Sequence, residues 1–231
     1  MKIQSTIGFL KGRCKLKSNK LIHNALSNTI AEHIAEQIVS GVLKPGEKLI
    51  ELNYAQEYGT SRAPVREAIY LLDIEGLVER IPRKGAVVKE YTKNEINDLL
   101  EIRIILENMA LERIKRNGTD QSLINEMADL LEKMKLADDI QSYTQLNHSF
   151  HTCLVMMSKS ETIKNMYSKL GWPLLRIQSL SFANEGNIEK SIIEHEIILR
   201  LLNEQNMDKL SNVLKKHNED VIFSIQRKLN L

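Results

Sequence analysis

Apolar positions recur along this chain in two regimes, one broken often and one nearly continuous. In the first ninety residues, Leu26, Ile30, Ile34 and Ile38 fall every four positions, predicting an amphipathic helix over about residues 23–40 that Gly41 is placed to end. Lys44-Pro45-Gly46-Glu47 reads as a turn, with Pro presetting φ and Gly accepting a positive φ. A short helix over about 51–58 closes at Gly59. Ser61 then stands as the N-cap of a helix from Arg62 to about Ile74, with Pro64 in its first turn, where a missing N–H costs nothing. Val65, Ala68, Ile69 and Leu72 form its apolar stripe, and Gly76 ends it. Two short strands are expected at Leu77–Ile81 and Ala86–Val88, joined by the hairpin tip Pro82-Arg83-Lys84-Gly85.

Past Tyr91 the pattern is helical almost to the end. Thr92-Lys93-Asn94-Glu95 carries the capping-box signature. The expected helices are about 92–116, 120–137, 139–158, 161–183 with a break near Gly171-Trp172-Pro173, 187–204 and 206–229. Short links between long helices imply an antiparallel bundle. The predicted fold class is therefore mainly α: an N-terminal winged helix-turn-helix followed by an all-helical antiparallel bundle. The domain limits are 1–20 for a basic flexible tail, 21–90 for the winged domain and 92–231 for the bundle.

Composition sharpens the division. The net charge of +2 hides an asymmetry: residues 1–91 hold 14 Lys and Arg against 10 Asp and Glu, whereas the remainder is net acidic. Seven of the ten glycines and three of the four prolines lie in that first stretch, which marks it as small and turn-rich. At 231 residues the chain can bury a core without disulfides, and Cys14 and Cys153 form no framework, which fits a reducing compartment. No run approaches the roughly 18 apolar residues of a membrane span, and the N-terminus lacks the apolar core of a signal peptide. A cytoplasmic protein without a membrane partner is expected.

Charge in the first domain points to nucleic acid. Arg62 and Arg66 are four apart on one face at the start of a helix, where side chains reach base edges in a major groove or grip phosphates. Arg83 and Lys84 crown the hairpin, which Gly85 keeps slim enough for a minor groove. Taken alone, the two arginines would equally suit a solvated surface helix. The basic tail, with Lys2, Lys11, Arg13, Lys15, Lys17 and Lys20, reads as a solvated tail or as an arm touching phosphates.

Gly41-Val-Leu-Lys-Pro-Gly-Glu-Lys-Leu-Ile-Glu51, Tyr58-Gly-Thr-Ser-Arg-Ala-Pro-Val-Arg-Glu-Ala-Ile69, Glu75-Gly-Leu-Val78 and Arg83-Lys-Gly-Ala-Val87 together resemble the N-terminal domain of GntR-type bacterial transcription regulators. The resemblance implies that Ser61, Arg62, Ala63 and Arg66 meet DNA and that the residues at the wing glycine enter the minor groove. With Pro64 in the same turn, the expected DNA-contact set is Ser61, Arg62, Ala63, Pro64, Arg66, Arg83, Lys84 and Gly85. Leu52 stands where some members carry a basic residue, and Ala63 where threonine is frequent.

Histidines carry the chemistry of the second domain. Asn147 and His151 are i and i+4 and share a face. His195 and His217 lie equidistant from residue 206, where the last two helices turn, so they stand at similar height in a helical hairpin. Three imidazoles and an amide oxygen could bind a divalent transition metal, although each histidine singly also fits a structural or surface role. His148 points about 100° away from Asn147 and reads as a surface or interface residue. Arg103 either grips a carboxylate in the same cavity or pairs with Glu107 at i,i+4, and Arg176 is a second pocket candidate. Glu194 and Glu196 flank His195 and are expected to point away from the metal.

Residues from about 92 to 220 resemble the effector domain called FCD, found in the FadR-like branch of GntR regulators. The cues are Glu101-Ile-Arg-Ile-Ile-Leu-Glu107, Asn147-His-Ser-Phe-His151, His195 and His217. The resemblance implies a metal held by Asn147, His151, His195 and His217, with zinc, nickel or manganese as the ion. Asn147 departs from the Asp common at that position. Without that charge, weaker metal affinity and a stronger demand for an anionic ligand are expected. The implied partners are a double-stranded DNA operator with an inverted repeat, a small carboxylate effector and a second copy in a homodimer. A hinge is expected at Val88 to Tyr91. The expected function is a ligand-responsive regulator, a repressor by family habit; the alternative is a regulator for which the ion itself is the signal. An enzyme is not expected, because HExxH, GxSxG and a phosphate-binding loop are all missing.

Overall fold

The structure is a computed structural model that describes residues 20–228, with side chains from residue 25. The expected basic tail up to residue 19, with Cys14, lies outside the described residues, and its last member, Lys20, opens the first helix. The chain divides into two compact units, with the boundary between Glu90 and Tyr91.

The first unit runs α1 (Lys20–Val39), β1 (Lys48–Leu49), α2 (Glu51–Glu57), α3 (Arg62–Ile74), β2 (Val78–Ile81) and β3 (Gly85–Val88). Ile30, Ile34 and Ile38 of α1 are buried with Val65, Ala68, Ile69 and Leu72 of α3. Leu26 is 37% exposed, contrary to the four-residue pattern. A strict period of four drifts about 40° per step from the helical 3.6, so Leu26 sits about 120° around the helix from Ile38. Ser27 is buried in its stead. The turn at Pro45–Gly46 forms, with Gly46 at φ 77° and the Glu47 N–H donating to the Lys44 carbonyl at 3.0 Å.

The sheet is antiparallel in the order β1-β3-β2, with Leu49 opposite Ala86 and Arg80 opposite Ala86 from the other side. β1 is an addition to the two expected strands; two residues directly after a turn carry no alternation to read. Gly85 opens β3 opposite Ile81 rather than sitting in the tip. Two residues of the hairpin have positive φ, Gly85 at 96° and Arg83 at 64°, and the second is a basic residue within the turn itself.

The second unit is all helical: α4 (Lys93–Asn117), α5 (Gln121–Lys135), α6 (Ile140–Met157), α7 (Glu161–Ser168), α8 (Gly171–Phe182), α9 (Asn187–Asn203) and α10 (Met207–Lys228). The capping box at Thr92 is complete: the Thr92 N–H donates to Glu95 Oε2 at 2.8 Å, and the Glu95 N–H donates to Thr92 Oγ1 at 3.3 Å. The expected break separates α7 from α8, with Pro173 in the first turn of α8. α6 packs against α4, α5, α7 and α8 and is buried on most sides. Its apolar positions join Leu111, Met127, Leu131, Ile198 and Leu214 in one core, and its residue Val155 joins Leu100, Ile177 and Ile225 in another. None of the helices of the described residues is long and apolar enough to cross a membrane.

Candidate functional site

The N-terminal end of α3 presents a compact set of polar groups to solvent. Ser61, Arg62 and Ala63 are exposed. Ser61 has extended backbone at the N-cap position, but its hydroxyl makes no capping bond, contrary to its expected role. Pro64 is buried, which corrects its place among the DNA contacts. It shares the inward face with Ala68 and Leu72, each four residues on. Arg66 is exposed, and its guanidinium is already engaged: Nε and Nη2 donate to Glu51 Oε1 and Oε2 at 3.0 and 2.9 Å. Sequence reasoning missed Glu51, because its partner lies on the next helix. Arg83, Lys84 and Gly85 are exposed at the wing.

The second unit gathers a different kind of site from α4, α6, α9 and α10. His151, His195 and His217 are all buried, and their ligand atoms lie within 4.8 Å of one another. His151 Nε2 stands 3.1 Å from His195 Nε2 and 3.3 Å from His217 Nε2. Zinc–nitrogen bonds of about 2.0–2.1 Å at tetrahedral angles separate the donor atoms by about 3.3–3.4 Å, so this spacing suits an ion.

The far side of each ring assigns the protons. His217 Nδ1 lies 2.6 Å from Glu194 Oε2, and His195 Nδ1 lies 2.5 Å from the Ser191 carbonyl. Both acceptors require N–H at Nδ1, which leaves a lone pair on Nε2. His151 Nδ1 is 3.2 Å from Glu107 Oε1, within ion-pair range but poorly aligned as a hydrogen bond. A proton on Nδ1, towards that carboxylate, would leave three lone pairs facing one another. Burial pushes His151 down to about 3 and His195 well below the usual histidine range, which keeps both rings neutral and ready to ligate. Asn147, one turn before His151, is buried, and its Oδ1 has no hydrogen-bond partner.

Glu107 is the hub behind the histidines. Its Oε1 accepts from Arg103 Nε at 2.8 Å and from the Tyr167 hydroxyl at 2.9 Å, and its Oε2 accepts from Asn218 Nδ2 at 2.7 Å. Burial opposes its ionisation, but the charge of Arg103 and these bonds prevail and hold its carboxyl well below the usual carboxylate range. Burial and the charge of Glu107 push the Tyr167 phenol up. The two readings of Arg103 thus meet in one residue. It pairs with Glu107 through Nε, while its buried Nη2 has no partner. Gln178 Oε1 and Asn218 Oδ1 are likewise buried without partners. Such atoms are costly unless a ligand, ion or water meets them. Arg176 is half-buried on α8, burial pushes its pKa down, and its guanidinium has no hydrogen-bond or ion-pair partner among the described residues.

Two residues flank the expected ligands in sequence. His148, expected at the surface or an interface, is half-buried: its ring stacks on Tyr167 with centroids 5.7 Å apart, its Nδ1 is buried without a partner, and burial pushes it down to about 4. Glu194 does point away from the space between the imidazoles, but it ends on the back of His217.

A winged helix-turn-helix joined to a helical domain with a buried polar centre defines a DNA-binding regulator that senses a signal. The model of the bacterial regulatory proteins of the gntR family matches residues 26–88, and that of the FCD domain matches residues 98–220. The chain belongs to the GntR family of transcriptional regulators, in its FCD-bearing branch, whose members are DNA-binding proteins and not enzymes. It is 26% identical over 200 residues to the gluconate operon transcriptional repressor of Bacillus licheniformis, covering 83% of this chain and 82% of that protein. It is 30% identical over 156 residues to the transcriptional regulator McbR of Escherichia coli, covering 66% of this chain and 70% of that protein. The solved structure of E. coli McbR/YncC has the same fold, with a TM-score of 0.73 at 24% identity over 89% of this chain and 99% of that one.

Proposed function

We propose that this protein is a homodimeric, effector-responsive repressor working in the cytoplasm, whose helical domain holds a divalent metal and a small organic acid. The observation that carries the reading is the convergence of the His151, His195 and His217 Nε2 atoms beside the unpartnered Arg103 Nη2. His151, His195 and His217 would hold the ion, with Asn147 Oδ1 as fourth ligand. The metal, when bound, supplies a positive centre with open positions for a carboxylate. Arg103 Nη2 would take the acid's second oxygen or another anionic group, and Arg176 is a further candidate for the same anion. Glu107, itself held by Tyr167 and Asn218, holds the Arg103 side chain in place.

On DNA, Ser61, Arg62, Ala63 and Arg66 would enter the major groove, and Arg83, Lys84 and Gly85 the adjacent minor groove. Two copies would read an inverted repeat. Effector binding changes DNA affinity by favouring one arrangement of the two winged domains.

The test begins with the metal content of untagged protein beside a His195→Ala/His217→Ala variant. Near-stoichiometric zinc, nickel or manganese in the wild type alone is expected. A wild type that takes up none of these ions removes the metal from the reading. Small carboxylates, gluconate among them, are then screened for release of operator DNA with and without metal. Release by metal alone at buffered concentrations would make the ion itself the signal. A carboxylate that binds equally well to metal-free protein would end the joint site.

A further inference from the structure

The metal reading leaves an electrostatic question. Three neutral imidazoles and the amide of Asn147 cancel none of a dication's charge, and the centre is buried. Among the described residues, two carboxylates touch the triad from behind: Glu107 at His151 and Glu194 at His217. They are not equivalent. The charge of Glu107 is answered within the protein by Arg103 at 2.8 Å, both side chains being buried. Glu194 has no buried counter-charge among the described residues. Its nearest cation is Lys190, a half-exposed side chain 3.7 Å from Oε1 that also pairs with Asp220 at 2.6 Å.

We propose that Glu194 is the anionic member of the metal centre, acting through His217 in place of the carboxylate that Asn147 lacks. The inference rests on the metal reading above. Its geometry follows from the helix. Successive residues diverge by about 100°, so Glu194 cannot reach the space that His195 faces, but it can cross to α10. There Oε2 accepts from His217 Nδ1 at 2.6 Å, with the Glu194 side chain 18% exposed. A carboxylate on the far N–H of an imidazole fixes the tautomer, orients the ring and makes the other nitrogen a better donor. Glu194 does this while adding a negative charge that no buried cation offsets. The consequence reverses the expectation drawn from Asn147 alone: the ion loads on the effector-free protein, and an anionic effector is not needed to complete its charge balance.

The experiment measures Zn²⁺ affinity of the full-length, effector-free protein by competition with a chromophoric chelator. Glu194→Gln keeps an acceptor for His217 Nδ1–H and removes the charge. It should weaken zinc binding about 10–100-fold, the range seen when such supporting groups are changed. Adding Asn147→Asp to that variant should recover most of the loss, a rescue that a purely structural role would not give. Lys190→Met, a surface change, should tighten binding. A Glu194→Gln protein that binds zinc as tightly as the wild type overturns the proposal, as does a double variant with no rescue. A wild type that takes up no zinc fails at the earlier reading of the triad, and the two failures are told apart by the wild-type titration.

Discussion

The two sites of this protein are built on opposite terms. The set proposed to meet DNA falls in two short runs, Ser61 to Arg66 and Arg83 to Gly85, is exposed, and sits on local structure: a helix start at Ser61 and a hairpin crest at Arg83. The histidine centre draws on α4, α6, α9 and α10, with Tyr167 of α7 behind it, and nearly every polar group in it is buried. In the first, the side chains lie at the surface, with Arg66 paired to Glu51, so a substitution is expected to act on binding and leave the fold nearly alone. In the second, Glu107 alone is the acceptor for Arg103, Tyr167 and Asn218, so a substitution strands what remains.

The sharpest break of that contrast is Glu107→Ala. It would leave Arg103 buried without a counter-charge, and Tyr167 and Asn218 without their acceptor. A loss of about 3–5 kcal/mol is expected. Trp172, the chain's one tryptophan, sits in α8 and reports unfolding of this unit in denaturant. A midpoint that barely moves would mean that the network is ornamental to the fold.

Metal binding should work in the same unit with the opposite sign. At about 100 times its dissociation constant an ion bound only by the folded state adds about 2.7 kcal/mol. Zinc added to stripped protein should therefore raise the Trp172 transition, and should not do so in the His195→Ala/His217→Ala variant. Equal stabilisation of both proteins would place the ion elsewhere.

Arg62→Ala should show the other side of the comparison. Operator affinity should fall by about 1–3 kcal/mol, with preference relaxed at one base position if the guanidinium reads a base. The unfolding midpoint should stay where it was. A uniform loss across sequences would instead make Arg62 a phosphate contact.

The same difference governs what could be read from the sequence. Elements and their ends were legible because caps, glycines and helical periodicity are local: Thr92, Gly46 and the break at Gly171–Pro173 all declare themselves within a few residues. The three histidines were legible by a further step, since the spacing of His195 and His217 about residue 206 is a property of one helical hairpin. Periodicity fails where the question is which helix lies against which. It shows that His148 and Glu194 leave the face of their neighbours Asn147 and His195, but not that each then meets a buried partner, Tyr167 or His217. Leu26 fails for a simpler reason, because a repeat of four is not a helical turn. At Pro64 the missing N–H explains its place in the first turn, but only its phase with Ala68 and Leu72 tells that its ring belongs to the core.

The smallest effect is expected at Glu51, and it tests whether the exposed site holds any order of its own before DNA arrives. Its carboxylate takes Nε and Nη2 of Arg66 side-on, which leaves the far end of the guanidinium directed outward on a side chain that is 61% exposed. As an exposed ion pair it contributes at most about 1 kcal/mol to stability, so Glu51→Gln should leave the unfolding curve nearly unchanged. Its effect on DNA should be two-sided. Removing a negative charge beside the phosphates strengthens sequence-independent binding. Freeing Arg66 to sample other rotamers weakens whatever that side chain discriminates, because less of its entropy has been lost in advance. Selection from a pool of randomised duplexes should then return a less defined site for Glu51→Gln than for the wild type, even where total affinity rises. A variant that selects the same site with the same stringency would show that Arg66 meets DNA as a phosphate clamp, indifferent to how it is held.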